Sequence, residues 1–280
     1  MTLRILPLTL VALACLAQDS DIRTRQLWDT SLMTQRPAAP ATPAKQTKAV
    51  APVVRGLVGV TVWNLRPART TDRRDIRALI QEDGQESEWT PERIPADSPL
   101  KEGQRVRISV ESGDEGYLYL IDRDEYADGT KSDPYMIFPT TRTRGGDNRV
   151  KAGVVIQIPA PEDNPSYFKV VRSRADQVDE VITILVSPKP ITGVGLTANR
   201  LKLSEDQVSN WEKQSQTKAY RLEAAGQAGK VLTVAEQQAS RGAVLTQADP
   251  LPQTMYRVES KPGDSLMLRV PLKLAPTNTK

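Results

Sequence analysis

The sequence predicts a mainly β protein: an antiparallel β-sandwich with a two-helix insertion before a C-terminal hairpin. Three observations carry this reading. Short runs of alternating or continuous apolar residues recur between Leu57 and Ser187, divided by Gly, Pro, Asn and Asp. The period becomes helical between about residues 199 and 242. Alternation then returns at 265–274, where Leu266, Leu268, Val270, Leu272 and Leu274 share one face and Met267, Arg269, Pro271 and Lys273 share the other.

The chain opens with MTLRILPLTLVALACLA, one basic residue followed by an apolar run from Ile5 to Ala14. That run is too short to span a bilayer and fits the apolar region of a secretory signal over residues 1–17. Two processing sites compete: cleavage after Ala17, or a lipobox-like Ala12-Leu13-Ala14-Cys15 that would place a lipid on Cys15. Residues 18–56 follow as a Pro/Ala-rich spacer. The segment from Arg36 to Arg55 carries four basic residues and no acid, as either a tether with mild affinity for anionic polymer or a plain N-terminal arm.

The folded part, a single domain over 57–280, starts with a strand in which Val58, Val60 and Val62 alternate with Gly59, Thr61 and Trp63. Residues 66–102 are charged and broken by four prolines, and read as an irregular connection with at most a short helix near Asp75–Ile80. Strands follow at 105–111, 116–122, 135–139, 154–159, 167–171 and 181–187, with turn chemistry at SGDEG (112–116), Asp128-Gly129 and RGGDN (144–148). Ser204 and Gln207 mark the start of one helix, over 204–217. Thr233 and Glu236, with Gly242 beyond, mark a second over 233–241. Strands 255–259 and 265–274 flank KPGD and read as a hairpin that joins the sandwich near strand 57–63. Pro271 cannot donate to a ladder, so the last strand is predicted at an edge or with its nitrogen turned outward.

The order RVRISVE, GYLYLIDRDEYADG, IFPT, GGDN, AGVVIQIP and VITILVSPKPI resembles the bacterial domain-of-unknown-function 4384 family over roughly residues 100–190. WEKQ, YRLE and the segment from LTQADPLPQTMYRV to the last strand are similar to the C-terminal part of longer exported members. The resemblance implies export and accessory or sensory use in the envelope. It brings no catalytic residues with it.

Composition closes several chemistries. The 280 residues contain no His and one Cys, with 38 Lys+Arg against 34 Asp+Glu. Imidazole-based general-base, metal and haem sites are therefore excluded, as are disulfides and thiolate zinc sites. No cofactor is expected.

Several constellations remain. The acidic loop with Asp122, Asp124 and Asp128 has oxygen ligands for Ca²⁺, though its spacing is not that of an EF-hand; the plainer reading is a hairpin with solvated acids. GGDN could form a backbone nest for an anion, with Arg142, Arg144, Arg149 and Lys151 around it, or be a solvated loop. Aromatic residues are not interleaved with these bases, so no nucleic-acid partner is expected. Trp63 and Trp211 are either sugar-stacking residues or packing residues. Asp122 is the one acid that ends an apolar strand, and it carries the reading of a carboxylate-dependent hydrolase.

The functional expectation is an exported, non-enzymatic binding or interaction module of the bacterial cell envelope, located in the periplasm or at the cell surface. Its partner would be an envelope protein, with membrane contact only through a lipid on Cys15. A carbohydrate- or cell-wall-polymer-binding module is the first alternative, and the hydrolase the second.

Overall fold

A computed structural model describes residues 56–276 apart from 83, 96, 216–217 and 260–262. The expected leader, Cys15 and nearly all of the spacer lie outside the described residues. Among the described residues the chain is mainly β, with two antiparallel sheets packed on each other and two α-helices.

The larger sheet is centred on β1 (Leu57–Pro67). One edge of β1 pairs along β4 (Arg105–Ser112). The other edge is shared by β13 (Thr254–Glu259) and β3 (Gln85–Ile94). Four further strands extend this sheet. β2 (Ala78–Glu82) lies on β3, and β12 (Lys218–Glu223) on β13. β8 (Val155–Ile158) and β9 (Phe168–Lys169) lie on β4.

The smaller sheet runs β11 (Leu201–Lys202), β6 (Tyr135–Phe138), β5 (Gly116–Tyr126), β10 (Gln177–Ser187) and β14 (Leu266–Lys273). Short β7 (Arg149–Val150) pairs with β5.

The core follows from the period-2 pattern. Val58, Val60 and Val62 of β1, Val106, Ile108 and Val110 of β4, and Ile156 and Ile158 of β8 meet Leu118 and Leu120 of β5, Ile182, Ile184 and Val186 of β10, and Leu266, Leu268, Val270 and Leu272 of β14. All are buried between the sheets. At about 25 cal/mol per Å² of apolar area removed from water, this shared layer is the main stabilising contribution.

The outer faces are covered differently. Helix α1 (Glu205–Ser215) lays Val208 on Tyr119, Ile121, Met136, Leu185 and Met267 of the smaller sheet. Ser204 Oγ accepts from Gln207 N at 3.1 Å at its start. Helix α2 (Val234–Ala239) packs Ala239 with Val155 and Leu245 on the larger sheet. Its Thr233–Glu236 capping box is formed in both directions. Helix α2 is a little shorter than predicted, and residues 216–217, the predicted end of α1, lie outside the described residues.

Three expectations need correction. Residues 66–102 are not an irregular connection, because β2 and β3 form a hairpin there. Pro91 is tolerated inside β3 because β2 has already ended, and its carbonyl still accepts from Leu232 N at 3.0 Å on the side away from β1. The insertion is not purely helical, since it also holds β11 and the edge strand β12.

The C-terminal pair is not a hairpin: β13 joins β1 in the larger sheet, as its position near 57–63 required, while β14 crosses to β10 in the smaller one. The reason is that Val181–Ser187 of β10 is buried on both faces, so β10 is an interior strand that needs a ladder on each edge. β5 supplies one and β14 the other. β14 is then the outermost strand, which accommodates Pro271 as predicted.

Candidate functional site

The inner face of the smaller sheet changes character along its length. Leu118 and Leu120 of β5 are buried core, and the next two residues on that face are Asp122 and Asp124. On β10 the same face reads Val186, Ile184, Ile182 and then Glu180. The strands are in register with Ile182 opposite Asp122 and Glu180 opposite Asp124. The apolar layer therefore ends in three carboxyls at one end of the sandwich. There β9 and the loops 159–167 and 198–200 leave a cleft of about 730 Å³.

Asp122 and Glu180 are half-buried at the floor of this cleft and hydrogen-bond each other. A hydrogen bond between two carboxyls requires a proton on one of them. Burial and mutual repulsion, reinforced by Asp124, raise both, Asp122 to about 6 and Glu180 to about 8, so the pair titrates as a unit around neutrality. Arg200 and the Arg123 amide oppose the shift at Asp122. Asp122 Oδ1 is shielded from solvent and has no hydrogen-bond partner among the described residues.

The surroundings hold this floor in place. Asp124 Oδ1 accepts from Gln177 Nε2 at 2.7 Å, and its amide donates to Ser132 Oγ at 2.9 Å. Gln177 is buried and its Oε1 accepts from Ser173 N at 2.8 Å. Arg172 donates to the carbonyls of Gln177 and Ala275. On the opposite wall Asp163 Oδ2 accepts from Thr143 Oγ1 and Ala160 N, both at 2.7 Å. Arg107, buried in β4, donates to Ser166 Oγ at 2.8 Å and to the Ser166 carbonyl, which pins the loop 159–167. Burial lowers Arg107 to about 10 against the pull of Glu162 and Asp163. Arg142 and Arg200 stand exposed at the rim, Arg200 stacked 4.2 Å above the Tyr135 ring.

The predicted site residues are dispersed by this geometry. Asp122 and Asp124 line the cleft, but Asp128 does not. Asp128 sits at the hairpin tip, where Thr130 N and Oγ1 and Arg174 Nη2 bind its carboxylate and lower it to about 2. The three acids are not one calcium site, and among the described residues no three His, Cys, Asp or Glu side chains are grouped to hold a metal.

Of Arg142, Arg144 and Arg149, only Arg142 reaches the cleft. Arg149 is held by Asp147 through two contacts of 2.9 Å. The GGDN segment is not an open anion nest, because the amides of Gly146 and Asp147 donate to the carbonyls of Thr143 and Arg144. Trp63 is fully buried on the outer face of the larger sheet, with Nε1 donating to Ser109 Oγ at 2.7 Å, so it is not a sugar platform. Trp211 is half-buried against the cluster under α1.

Glu180, Gln177, Arg172 and Arg200 were missed in the sequence. Glu180 had a signal: it continues the apolar alternation of β10, in the way that Asp122 continues that of β5. Among the described residues no helix is long and apolar enough to cross a membrane. No family model, no curated protein and no solved structure matches the chain.

Proposed function

We propose that the protein is an exported binding module of the bacterial envelope, and that the cleft floored by Asp122 and Glu180 receives a polar ligand or the polar end of a partner. The observation that supports this is the solvent-shielded Asp122 Oδ1, without a partner among the described residues, in the carboxyl pair that floors this cleft. A buried acceptor left without a donor costs about 1–3 kcal/mol, a cost that an incoming donor removes. Mixed lining and a volume within roughly 300–1,000 Å³ suit a small ligand or a chain end. Export rests on the N-terminal sequence pattern alone.

Isothermal calorimetry against envelope fragments, both peptide and saccharide, tests the binding role. Binding that weakens at least tenfold in both Asp122→Asn and Arg142→Ala is the expected result. Equal binding by both variants would move the site elsewhere.

A second reading is favoured by the raised carboxyls, which are suited to proton transfer near neutrality: a carboxylate-dependent hydrolase in which the Asp122–Glu180 pair supplies the proton. The two carboxyls are too close for the glycosidase arrangement, which separates them by roughly 5–9.5 Å. Any hydrolysis would have to use the pair as one proton donor. A glycosidase, esterase and peptidase screen that finds turnover abolished by Asp122→Asn would establish this reading over the binding one.

A further inference from the structure

The binding proposal leaves the ligand's chemistry open, and the charge arrangement of the cleft narrows it. Building on that proposal, we infer that the cleft takes a zwitterionic ligand, an amino acid or the end of a short peptide, with its ammonium at the Asp122–Glu180 floor and its carboxylate at the Arg142–Arg200 rim.

Each half of this assignment comes from unmet bonding capacity. At the floor, Asp122 Oδ1 accepts nothing from the described residues, although it is shut off from water. An ammonium brings three donors and a positive charge to a place where carboxyls from two adjacent strands face each other. At the rim, Arg142 makes no hydrogen bond among the described residues, and Arg200 is held only by stacking on Tyr135 and by its attraction to Asp122. Two guanidinium forks with free N–H groups match a carboxylate. The other charges are already committed: Arg172 to two carbonyls, Asp163 to Thr143 and the Ala160 amide, Asp124 to Gln177, and Lys169 also has a partner.

Ligands of a single charge fit less well. A simple cation would pass the arginines to reach the floor, and a simple anion would face three carboxyls. A zwitterion meets both signs in complementary order. Ile137, Phe168 and the 60 % exposed Val171 give the cleft an apolar side where a ligand side chain would lie.

The acid pair supplies a second signature. An ammonium beside Asp122 and Glu180 favours their charged forms, so binding expels the proton they share. Asp124 on β5 and Arg200 before β11 act on the pair, and Arg142, Asp163, Lys169 of β9 and Arg172 are the other charged groups that line the cleft around it. Asp124 holds the proton on and Arg200 helps it leave. Affinity therefore rises with pH through the titration of the pair, as long as the ligand amine stays protonated.

Calorimetry on the full chain at pH 7 tests this with small, acidic and aromatic dipeptides, each also as the N-acetyl and C-amide derivative. A saccharide panel is run beside them, and each titration is done in phosphate and in Tris. The expected result is binding of at least one free dipeptide, a tenfold or greater loss on blocking either end, and an enthalpy that differs between buffers because a proton is released. Asp122→Asn or Glu180→Gln should remove the buffer dependence. Arg142→Ala should weaken binding about tenfold and leave that dependence in place. Equal binding of blocked and free dipeptides, or binding of saccharides alone, would overturn the zwitterion assignment and keep the cleft as a binding site. No binding by either panel would overturn both.

Discussion

Arg93 and Glu236 are buried on the outer face of the larger sheet, while Asp122 and Glu180 line the cleft at the open end of the smaller one. In the first cluster every group has a partner. Arg93 Nη1 donates to Gln227 Oε1 at 3.1 Å and to the Leu251 carbonyl at 2.6 Å, and Nη2 donates to Glu236. The guanidinium lies 5.2 Å from the Trp63 ring centre. Glu236 Oε2 accepts from Thr233 N and Oγ1. The second cluster brings together groups of like charge and leaves an oxygen unmatched. Buried charge alone therefore does not mark a site. The first cluster fastens the segment that covers the larger sheet, and the second holds bonding capacity that only something outside the fold can use.

The largest effect should come from breaking the first cluster. Arg93→Ala leaves Glu236 buried with one oxygen unpaired and removes the cation over Trp63. The expected loss is about 3–5 kcal/mol in urea denaturation. Adding Glu236→Gln to Arg93→Met should recover more than half of it, since the amide keeps the capping acceptor without the charge. A loss below about 1 kcal/mol for Arg93→Ala would mean that the pair is ornamental.

The second cluster should respond in the opposite direction. Both carboxyls are raised in the folded chain, so the folded state binds more protons than the unfolded one between the ordinary carboxylate range and about pH 8. Their contribution is fully present only below the ordinary carboxylate range, is still mostly present at pH 4, and is lost as pH rises to about 6 for Asp122 and about 8 for Glu180. Glu180→Gln should therefore stabilise the protein at pH 8 by about 2 kcal/mol, or roughly 4–8 °C in Tm, and change little at pH 4. Asp122→Asn should do the same to a smaller extent. Destabilisation at pH 8 would show that the pair is structural in the way Arg93–Glu236 is.

How far the sequence foretold these two clusters differs for a physical reason. The sandwich and its strands were legible because half-buried strands carry a period of two. Asp122 stood out because it ends an apolar face. Arg93 and Glu236 did not, since they are 143 residues apart and meet only through the return of the chain over β1 and β3. β2 and β3 were hidden by their position at an edge, where Glu86, Ser87 and Glu88 face solvent and dilute the alternation. β14 looked like the partner of β13 because turn residues report on local chain reversal and not on which sheet has an unfilled edge.

A smaller effect tests whether the first cluster depends on its helix. Thr233→Ala removes the hydroxyl that accepts from Glu236 N at 3.2 Å and donates to Glu236 Oε2 at 2.8 Å. A cap of this kind is worth about 1 kcal/mol. Combined with Arg93→Ala, the two losses should fall short of additive, because both act through Glu236. Strict additivity would mean that the cap and the ion pair are independent.

The smallest effect is expected at Asp128, and it separates the second cluster from the hairpin beyond it. Asp128 shares β-hairpin sequence with Asp122 and Asp124, yet its oxygens face Thr130 and Arg174 at the exposed tip. Exposed pairs of this kind are screened by water and salt and contribute little. Its carboxyl is lowered to about 2, so what it does contribute is present above the ordinary Asp range and is lost only as pH falls through about 2. Asp128→Ala should therefore move Tm by no more than about 1 °C at neutral pH, and ligand binding in the cleft should be unchanged. Millimolar Ca²⁺ should leave the melting curves of both the parent chain and Asp128→Ala where they were. A calcium-dependent rise lost in Asp128→Ala would require the tip to fold back onto Asp122 and Asp124, and would join the two regions that the Arg174 contact keeps apart.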